Sequence, residues 1–278
     1  MAMKMTMAKL PDILPRLGKW MPASGHVYWM IKNSLKTNNT WPCIDIYTDT
    51  FDVAKCTTVL GISRDYYSSP LTTCFAFSTD NTSFKTLLNT PGLLDWKQDR
   101  IIFEGIAKAS IDSVTETCVQ NSFQPTVVDM CQLLSLHDKR KLERAANAVL
   151  PDGFRKGPLL PRHVSLLTSH WTHDFPHPRL WETLKYCSSA AIYNPANQPV
   201  AWGVHTEMGD MGMGYCEPAY RRNGFASIIM GTLAMEITNK KEIPYFYFKL
   251  TNTVFEKGAE KLGCKKHKDL VAWVMFEK

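Results

Sequence analysis

The segment from Pro218 to Ala226, P-A-Y-R-R-N-G-F-A, most constrains the fold of this chain. Arg221, Gly224 and Ala226 give the pattern R-x-x-G-x-A, which predicts a tight turn from a strand into a helix that begins near Phe225. The first NH groups of a helix have no intrahelical partner, and the helix dipole favours negative charge there. Because small residues let an anion approach the backbone, the segment predicts a pyrophosphate site. The alternative is an ordinary glycine-containing loop before a surface helix.

The flanking sequence predicts the elements that such a site needs. Turn residues 194–197 precede a strand candidate at 198–208, and Gly209-Asp210 predicts a hairpin into a second strand at 211–216. Apolar residues then recur at helical spacing through Ile228, Ile229, Leu233, Ala234 and Ile237. Residues 244–250 predict another strand. The predicted order is therefore strand, phosphate-type turn, helix, strand.

This order is the one in which the GNAT acyltransferase superfamily builds its acyl-CoA site, and the chain resembles the glycine N-acyltransferase family within it. Residues 88–98 resemble that family's S-P-E-x-x-x-W-K-Q block. Further matches are Pro199-Val200-Ala201-Trp202 with P-V-S-W, Gly209 to Met213 with G-E-M-R-M, residues 218–224 with P-E-Y-R-x-x-G, and Thr251-Asn252 with S-N. The resemblance implies an α/β (α+β) GNAT fold, with a mixed twisted sheet, flanking helices and two GNAT-like halves.

Residues 151–161 contain three prolines and two glycines, a composition that ends helices and predicts a linker. We therefore expect an N-terminal glycine N-acyltransferase-like domain at 1–150 and a C-terminal GNAT catalytic domain at 162–278.

The resemblance also implies which residues bind coenzyme A. Pantetheine amides would bond to the backbone of Tyr215, Cys216 and Glu217, where a main-chain NH would also stabilise the charge that develops on the thioester oxygen. The pyrophosphate would lie on the turn, and an asparagine after the next strand would order the region. These cofactor-binding residues are Tyr215, Cys216, Glu217, Arg221, Arg222, Asn223, Gly224, Phe225, Ala226 and Asn252. Where many superfamily members have a tyrosine that protonates the thiolate, this chain has Ala259.

Asp210 stands where the family has the glutamate that takes the proton of the attacking amine. The aspartate side chain is one methylene shorter than that of glutamate, so its carboxylate lies farther back. This would lower the rate or require a bridging water. Asp210 is also a residue that turns favour, so a purely structural role is the alternative. The neighbouring Glu207 and Glu217 are other candidates for the base.

The implied function is transfer of an acyl group from acyl-CoA to the amino group of glycine or a similar small amino acid. Candidates to bind the acceptor carboxylate are Arg162, Arg179 and Lys249, and Trp171 or His173 could also face the substrate. One alternative is an N-acetyltransferase for a protein or polyamine amine, with a pocket at Trp202, Phe246 and Phe248. Others are an acyl-CoA-binding protein with little turnover and a general basic-surface binder.

Composition restricts the partners and the compartment. The 278 residues are 45% hydrophobic and 21% charged, with a formal charge of +6, and no apolar run is long enough to span a membrane. We expect no nucleic-acid partner and no stable membrane insertion. The cysteines form no C-x-x-C pair, and two prolines interrupt the histidines at 163, 170, 173 and 177, so we expect no metal. The basic segment 1–20 fits a mitochondrial address or an amphipathic first helix, and the predicted location is mitochondrial or cytoplasmic, not secreted.

Overall fold

The computed structural model describes residues 2–64, 66, 71–170 and 180–278, without the side chains of residues 253–255. The chain forms two compact units, residues 1–131 with 268–278 and residues 132–267. The predicted linker at 151–161 lies inside the second unit and not between the units. The preceding helix already ends at Ala146, before this segment, and residues 155–157 join a sheet of that unit.

Unit 1 is built on a mixed sheet. Its helices are α1 (Leu10–Gly18), α2 (Gly25–Lys36), α3 (Asn81–Leu88) and α4 (Ile111–Gln120). Its strands are β1 (Met3–Lys4), β2 (Asp45–Thr48), β3 (Thr58–Ser63), β4 (Thr72–Ser78) and β5 (Arg100–Ala107), and it also contains most of β6 (Gln124–Leu136) and the end of β12 (Cys264–Glu277). Neighbouring strands from β1 to β4 are antiparallel, β4 and β5 are parallel, and β12 pairs antiparallel with β5.

The predicted amphipathic segment at the N-terminus contains α1, which buries Leu10, Ile13 and Leu17. Three- and four-residue spacing places these side chains on one face of the helix. One core of unit 1 contains Phe84, Phe103 and Phe123, which lie between helices and sheet.

Unit 2 contains a four-stranded antiparallel sheet in the order β10-β9-β8-β7. The strands of that sheet are β7 (Arg155–Gly157), β8 (Ser189–Tyr193), β9 (Pro199–His205) and β10 (Met211–Cys216), and unit 2 also contains β11 (Tyr245–Lys249), which lies next to β6 in the other sheet. Its helices are α5 (Lys139–Ala146), α6 (Val164–Ser169), α7 (Leu180–Tyr186), α8 (Phe225–Asn239) and α9 (Thr253–Lys261). The predicted hairpin, the helix from Phe225 and the strand near 244–250 are confirmed.

The sheet of unit 2 has a separate core on each face because side chains alternate along a strand. Ala201 of β9 lies in the core formed with α8, whereas Trp202 and Val204 lie in the core that includes Leu167 and Leu184. Below, these are the α8 face and the α6–α7 face. The absence of a Cβ at Gly203 and Gly231 lets α8 pack closely on β9 and α5.

Candidate functional site

Strand β10 is the edge of its sheet, and among the described strands it hydrogen-bonds to β9 alone. Gly212 pairs with Val204 and Tyr215 with Trp202, so β10 has one extra residue between these pairs. Met213, with φ of 54°, and the exposed Gly214 form this bulge. A bulge leaves backbone groups unpaired and re-aims the strand. The edge therefore offers backbone donors and acceptors to a ligand.

The end of β10 points further backbone groups away from β9. The Glu217 NH donates to Val200 O at 2.9 Å, so the alternation of an antiparallel ladder turns the Cys216 backbone outward. Its carbonyl accepts from Arg221 Nε at 3.0 Å, which ties the turn to the strand. The Cys216 NH is thus available on the free edge, beside the bulge.

The turn after β10 runs through a short 3-10 segment, Pro218–Tyr220, into α8. Arg222 and Gly224 have φ of 67° and 76°, and no side chain caps the helix. Among the described residues, none accepts a hydrogen bond from the NH groups of residues 222–227. Successive unpaired NH groups at a helix start, with left-handed residues among them, form a concave anion site. A Cβ on Gly224 would have no atom within 4 Å, so the space above the turn is open.

Aromatic packing holds the turn in place. The Phe225 ring is buried and lies 5.4 Å from the Phe154 ring, which also contacts Tyr220 at 5.8 Å. Phe225 therefore contributes through its backbone NH and through packing. Asn223 Nδ2 donates to Tyr220 O at 3.1 Å and Arg222 is exposed.

Asp210 directly precedes β10, in the turn of the hairpin. The Thr206 NH donates to the Asp210 carbonyl at 2.8 Å, and the Thr206 hydroxyl donates to the Asp210 carboxylate. Asp210 Oδ2 lies 3.0 Å from where a Cβ on Gly212 would stand. The carboxylate therefore lies over Gly212, on the α6–α7 face of β10, and it also closes the turn.

Burial raises the pKa of Asp210 to about 6, and the nearby Glu207 carboxylate adds to this effect against the hydrogen bond from Thr206. A carboxylate near this value is a stronger base than an ordinary aspartate and is still mostly ionised at neutral pH. Glu207 itself is buried and accepts from Thr183 Oγ1 at 2.8 Å. It is therefore engaged in the core of unit 2.

The remaining sequence-predicted positions lie at α9 and in the core. Asn252 directly precedes α9, and its carbonyl accepts from the Glu256 NH at 3.3 Å. Ala259 is buried in the core on the α8 face, and its methyl group cannot donate a proton. Phe246 and Phe248 are buried in the same core and Trp202 is 2% exposed in the opposite one. The predicted pocket at these three rings is therefore wrong, because the rings are buried by close packing in two different cores.

A cluster that the sequence did not single out forms on the α6–α7 face, beside the bulge. His170, the residue after α6, lies 4.3 Å from the Tyr215 ring and 5.5 Å from the Trp202 ring. His170 Nε2 is 3.3 Å from Glu217 Oε1, and the Tyr215 hydroxyl donates to Glu217 Oε2 at 3.4 Å. No sequence pattern links position 170 to 215 and 217. Only the packing of α6 on the sheet brings them together.

The structure says less about the other residues that were predicted to bind or face the acceptor. Arg162 is exposed and donates to His163 Nε2 at 3.4 Å. Trp171, His173, His177 and Arg179 lie outside the described residues. Within the described ranges, no three His, Cys, Asp or Glu side chains gather as metal ligands, and no helix is long and apolar enough to cross a membrane.

Comparison with known proteins shows which family the chain resembles. Residues 190–274 match the family described as aralkyl acyl-CoA:amino acid N-acyltransferase, C-terminal region. The chain is 23% identical to human glycine N-acyltransferase-like protein 2 over 275 residues, which span 92% of this chain and 90% of that protein.

Solved structures establish the fold. A Drosophila structural-genomics protein superposes with a TM-score of 0.80 at 16% identity, over 100% of this chain and 98% of that one. A tandem GNAT protein from the clavulanic acid biosynthesis pathway gives a TM-score of 0.56 at 9% identity, over 100% and 98%. The chain therefore has the GNAT fold in two GNAT-like halves, and its resemblance to the glycine N-acyltransferase family, acyl-CoA N-acyltransferases of that fold, is confirmed.

Proposed function

We propose that this protein transfers an acyl group from acyl-CoA to the amino group of glycine or a similar small amino acid, releasing an N-acyl amino acid and CoA. One observation carries the proposal: the free, bulged edge of β10 leads directly into a turn whose six NH groups have no acceptor among the described residues. An extended amide chain that ends in a pyrophosphate matches both parts of this surface.

The direction of β10 determines the order in which the parts of the cofactor would lie along it. The pyrophosphate would lie on the NH groups of residues 222–227, with Arg221 and Asn252 nearby. The pantetheine arm would then follow the edge from Glu217 past Cys216 to Tyr215. In this arrangement the thioester reaches the bulge at Met213–Gly214, where a backbone NH would stabilise the oxyanion.

Asp210 is the proposed base. It directly precedes the same strand, upstream of the bulge, and its raised pKa suits it to take a proton from the acceptor nitrogen. The nitrogen attacks the thioester carbon, the C–N bond forms, and the C–S bond breaks to release thiolate. A thiol has a reference pKa of about 8.5, so the thiolate needs little acid help near neutral pH.

The acceptor and compartment are the finer part of the proposal. Glycine is supported by the name of the human relative and by the amino-acid acceptor in the family description. The same family resemblance supports a mitochondrial or cytoplasmic location. A second candidate, an acyl-CoA-binding protein with little turnover, is favoured by the Thr206 hydrogen bond that holds Asp210 in the hairpin.

A CoA-release assay tests the proposal. Acetyl-, benzoyl- and long-chain acyl-CoA would each be incubated with glycine, other amino acids and putrescine, and free thiol would be measured. Release that depends on glycine supports the proposal, and preference for acetyl-CoA with putrescine would instead indicate an acetyltransferase for amines. Calorimetric binding of acyl-CoA without acceptor-dependent release would indicate the binding protein.

A further inference from the structure

His170 and Glu217 form an arrangement that the proposed roles of β10 do not use. His170 Nδ1 lies 2.9 Å from the Leu166 carbonyl, which can only accept, so this nitrogen carries the hydrogen. In the neutral imidazole Nε2 then presents its lone pair to Glu217 Oε1 at 3.3 Å. Two acceptors facing each other are complementary to a donor that binds both, and a positively charged donor suits the carboxylate best.

The pair is accessible and its orientation is fixed. The side chains of His170 and Glu217 are 24% and 31% exposed. The described groups that face the imidazole are Glu217 and the Tyr215 ring from β10, Trp202 from β9, and Leu166 O and Ser169 Oγ from α6. Tyr215 is the first residue after the bulge, so its stacking partner His170 lies beside the place proposed for the thioester.

The chemistry of the acceptor requires two proton transfers. An amine is mostly an ammonium ion at neutral pH and has no lone pair until it loses one proton. After the nitrogen attacks the thioester, it loses a second proton to become an amide. One proton finally joins the thiolate and the other reaches solvent. Asp210 accounts for one of these transfers and leaves the other unassigned.

We propose that the acceptor ammonium docks against both Glu217 Oε1 and His170 Nε2, and that His170 takes its first proton. The N–H bond breaks toward Nε2, leaving a neutral amine and an imidazolium that Glu217 stabilises. The amine then attacks the thioester, and Asp210 takes the second proton. This inference rests on the proposed function and adds His170 as a catalytic residue, with Glu217 as its charged partner.

The test compares acceptors of different basicity. His170→Gln keeps a polar side chain of similar length, and its turnover of glycine at neutral pH should fall by roughly a hundredfold. The deficit should shrink to within about twofold as the pH approaches that at which glycine deprotonates by itself. Aminoacetonitrile, a weak base that is already neutral, should lose less than about threefold. His137→Gln, at an exposed histidine of the same unit, is the matched control and should behave as the unmodified protein.

A role in packing alone predicts a different pattern. If His170 only supports Tyr215 and Trp202, its replacement lowers turnover of both acceptors equally and at every pH. That result, or unchanged glycine turnover, would overturn the inference. If the unmodified protein releases no CoA with any amine, the proposed function fails instead, and docking is then judged by a binding measurement.

That measurement follows the imidazole by NMR. Methylammonium added without acyl-CoA should shift the His170 ring signal, identified by its absence in His170→Gln. Glu217→Gln removes the charge and should weaken this response by about tenfold in methylammonium concentration. Glu143→Gln, at an exposed carboxylate of α5, should not change it. No shift of His170 on adding methylammonium would rule out the docking site, whatever the enzyme assay shows.

Discussion

At the scale of single residues, Asp210 combines two roles that the sequence left as alternatives. Its hydrogen bonds with Thr206 make it part of the hairpin, and its place on the α6–α7 face of β10 leaves it a candidate base. A carboxylate that closes a turn is positioned by that turn, so one role does not exclude the other.

The raised pKa of Asp210 gives a prediction with a definite sign. Burial raises it from the ordinary value to about 6, so the proton binds more tightly in the folded state. Asp210 therefore favours folding below its unfolded pKa, and this contribution is lost as the pH rises through about 6. Asp210→Asn, which keeps an acceptor for Thr206, should be more stable than the unmodified protein at pH above 7. The advantage should disappear near pH 4 in urea titrations.

The same variant should lose turnover while it gains stability. Loss of a general base typically costs roughly two to four powers of ten, and acyl-CoA affinity should change little. Asp210→Glu, the residue of the family pattern, should keep or raise activity if the shorter side chain merely holds the carboxylate back. Full activity of Asp210→Asn at every pH would show that Asp210 only closes the turn and is not the base.

At the scale of elements, the start of α8 decides whether the chain binds CoA. Gly224 needs a positive φ of 76°, which asparagine tolerates and valine does not. Gly224→Asn should fold normally but place a side chain over the turn, and CoA affinity should fall by at least about tenfold, the loss of one charge-assisted hydrogen bond. Gly224→Val should lose both affinity and stability. Calorimetry with CoA and thermal melts separate the two effects, and unchanged affinity in Gly224→Asn would contradict the pyrophosphate assignment.

The contact between α8 and α5 is a second place where an element depends on one glycine. A Cβ on Gly231 would lie 2.7 Å from Ala146 N and 2.9 Å from Leu142 O, both backbone atoms that cannot easily move. Gly231→Ala should therefore lower the free energy of unfolding by about 1–3 kcal/mol despite the better helix propensity of alanine. Gly258→Ala in α9 is the control, because its Cβ would meet nothing within 4 Å and should stabilise by about 0.5–1 kcal/mol. Equal effects in urea titrations would show that α5 moves aside.

At the scale of the whole molecule, the compact units do not follow the sequence-based domains. The core of unit 2 contains Leu134, Leu136 and Leu142, which are 2%, 1% and 0% exposed and precede the predicted linker. Burying three leucines contributes on the order of 5–9 kcal/mol, which is comparable with the total stability of a typical domain.

A fragment of residues 162–278 should therefore fail to fold, although it contains the CoA turn and Asp210. We expect weak near-ultraviolet circular dichroism, no cooperative thermal transition and no stabilisation by CoA. A fragment of residues 132–278 also contains the last residues of β6 and all of α5. It should show stronger near-ultraviolet circular dichroism, a more cooperative thermal transition and greater stabilisation by CoA. A cooperative melt of the shorter fragment, shifted upward by CoA, would support the sequence-based domain at 162–278 instead.

The sequence by itself determined the features that depend on neighbouring residues. The hairpin, the glycine turn and α8 follow from turn chemistry and helical spacing, and the ordered blocks in the second half indicated the family. Only the tertiary structure decided the features that depend on distant packing. It set the unit boundaries, buried Phe246 and Phe248, and brought His170 to Glu217. The physical reason is that local patterns fix backbone conformation, whereas the way α6 and α5 pack on a sheet depends on side chains far apart in the chain.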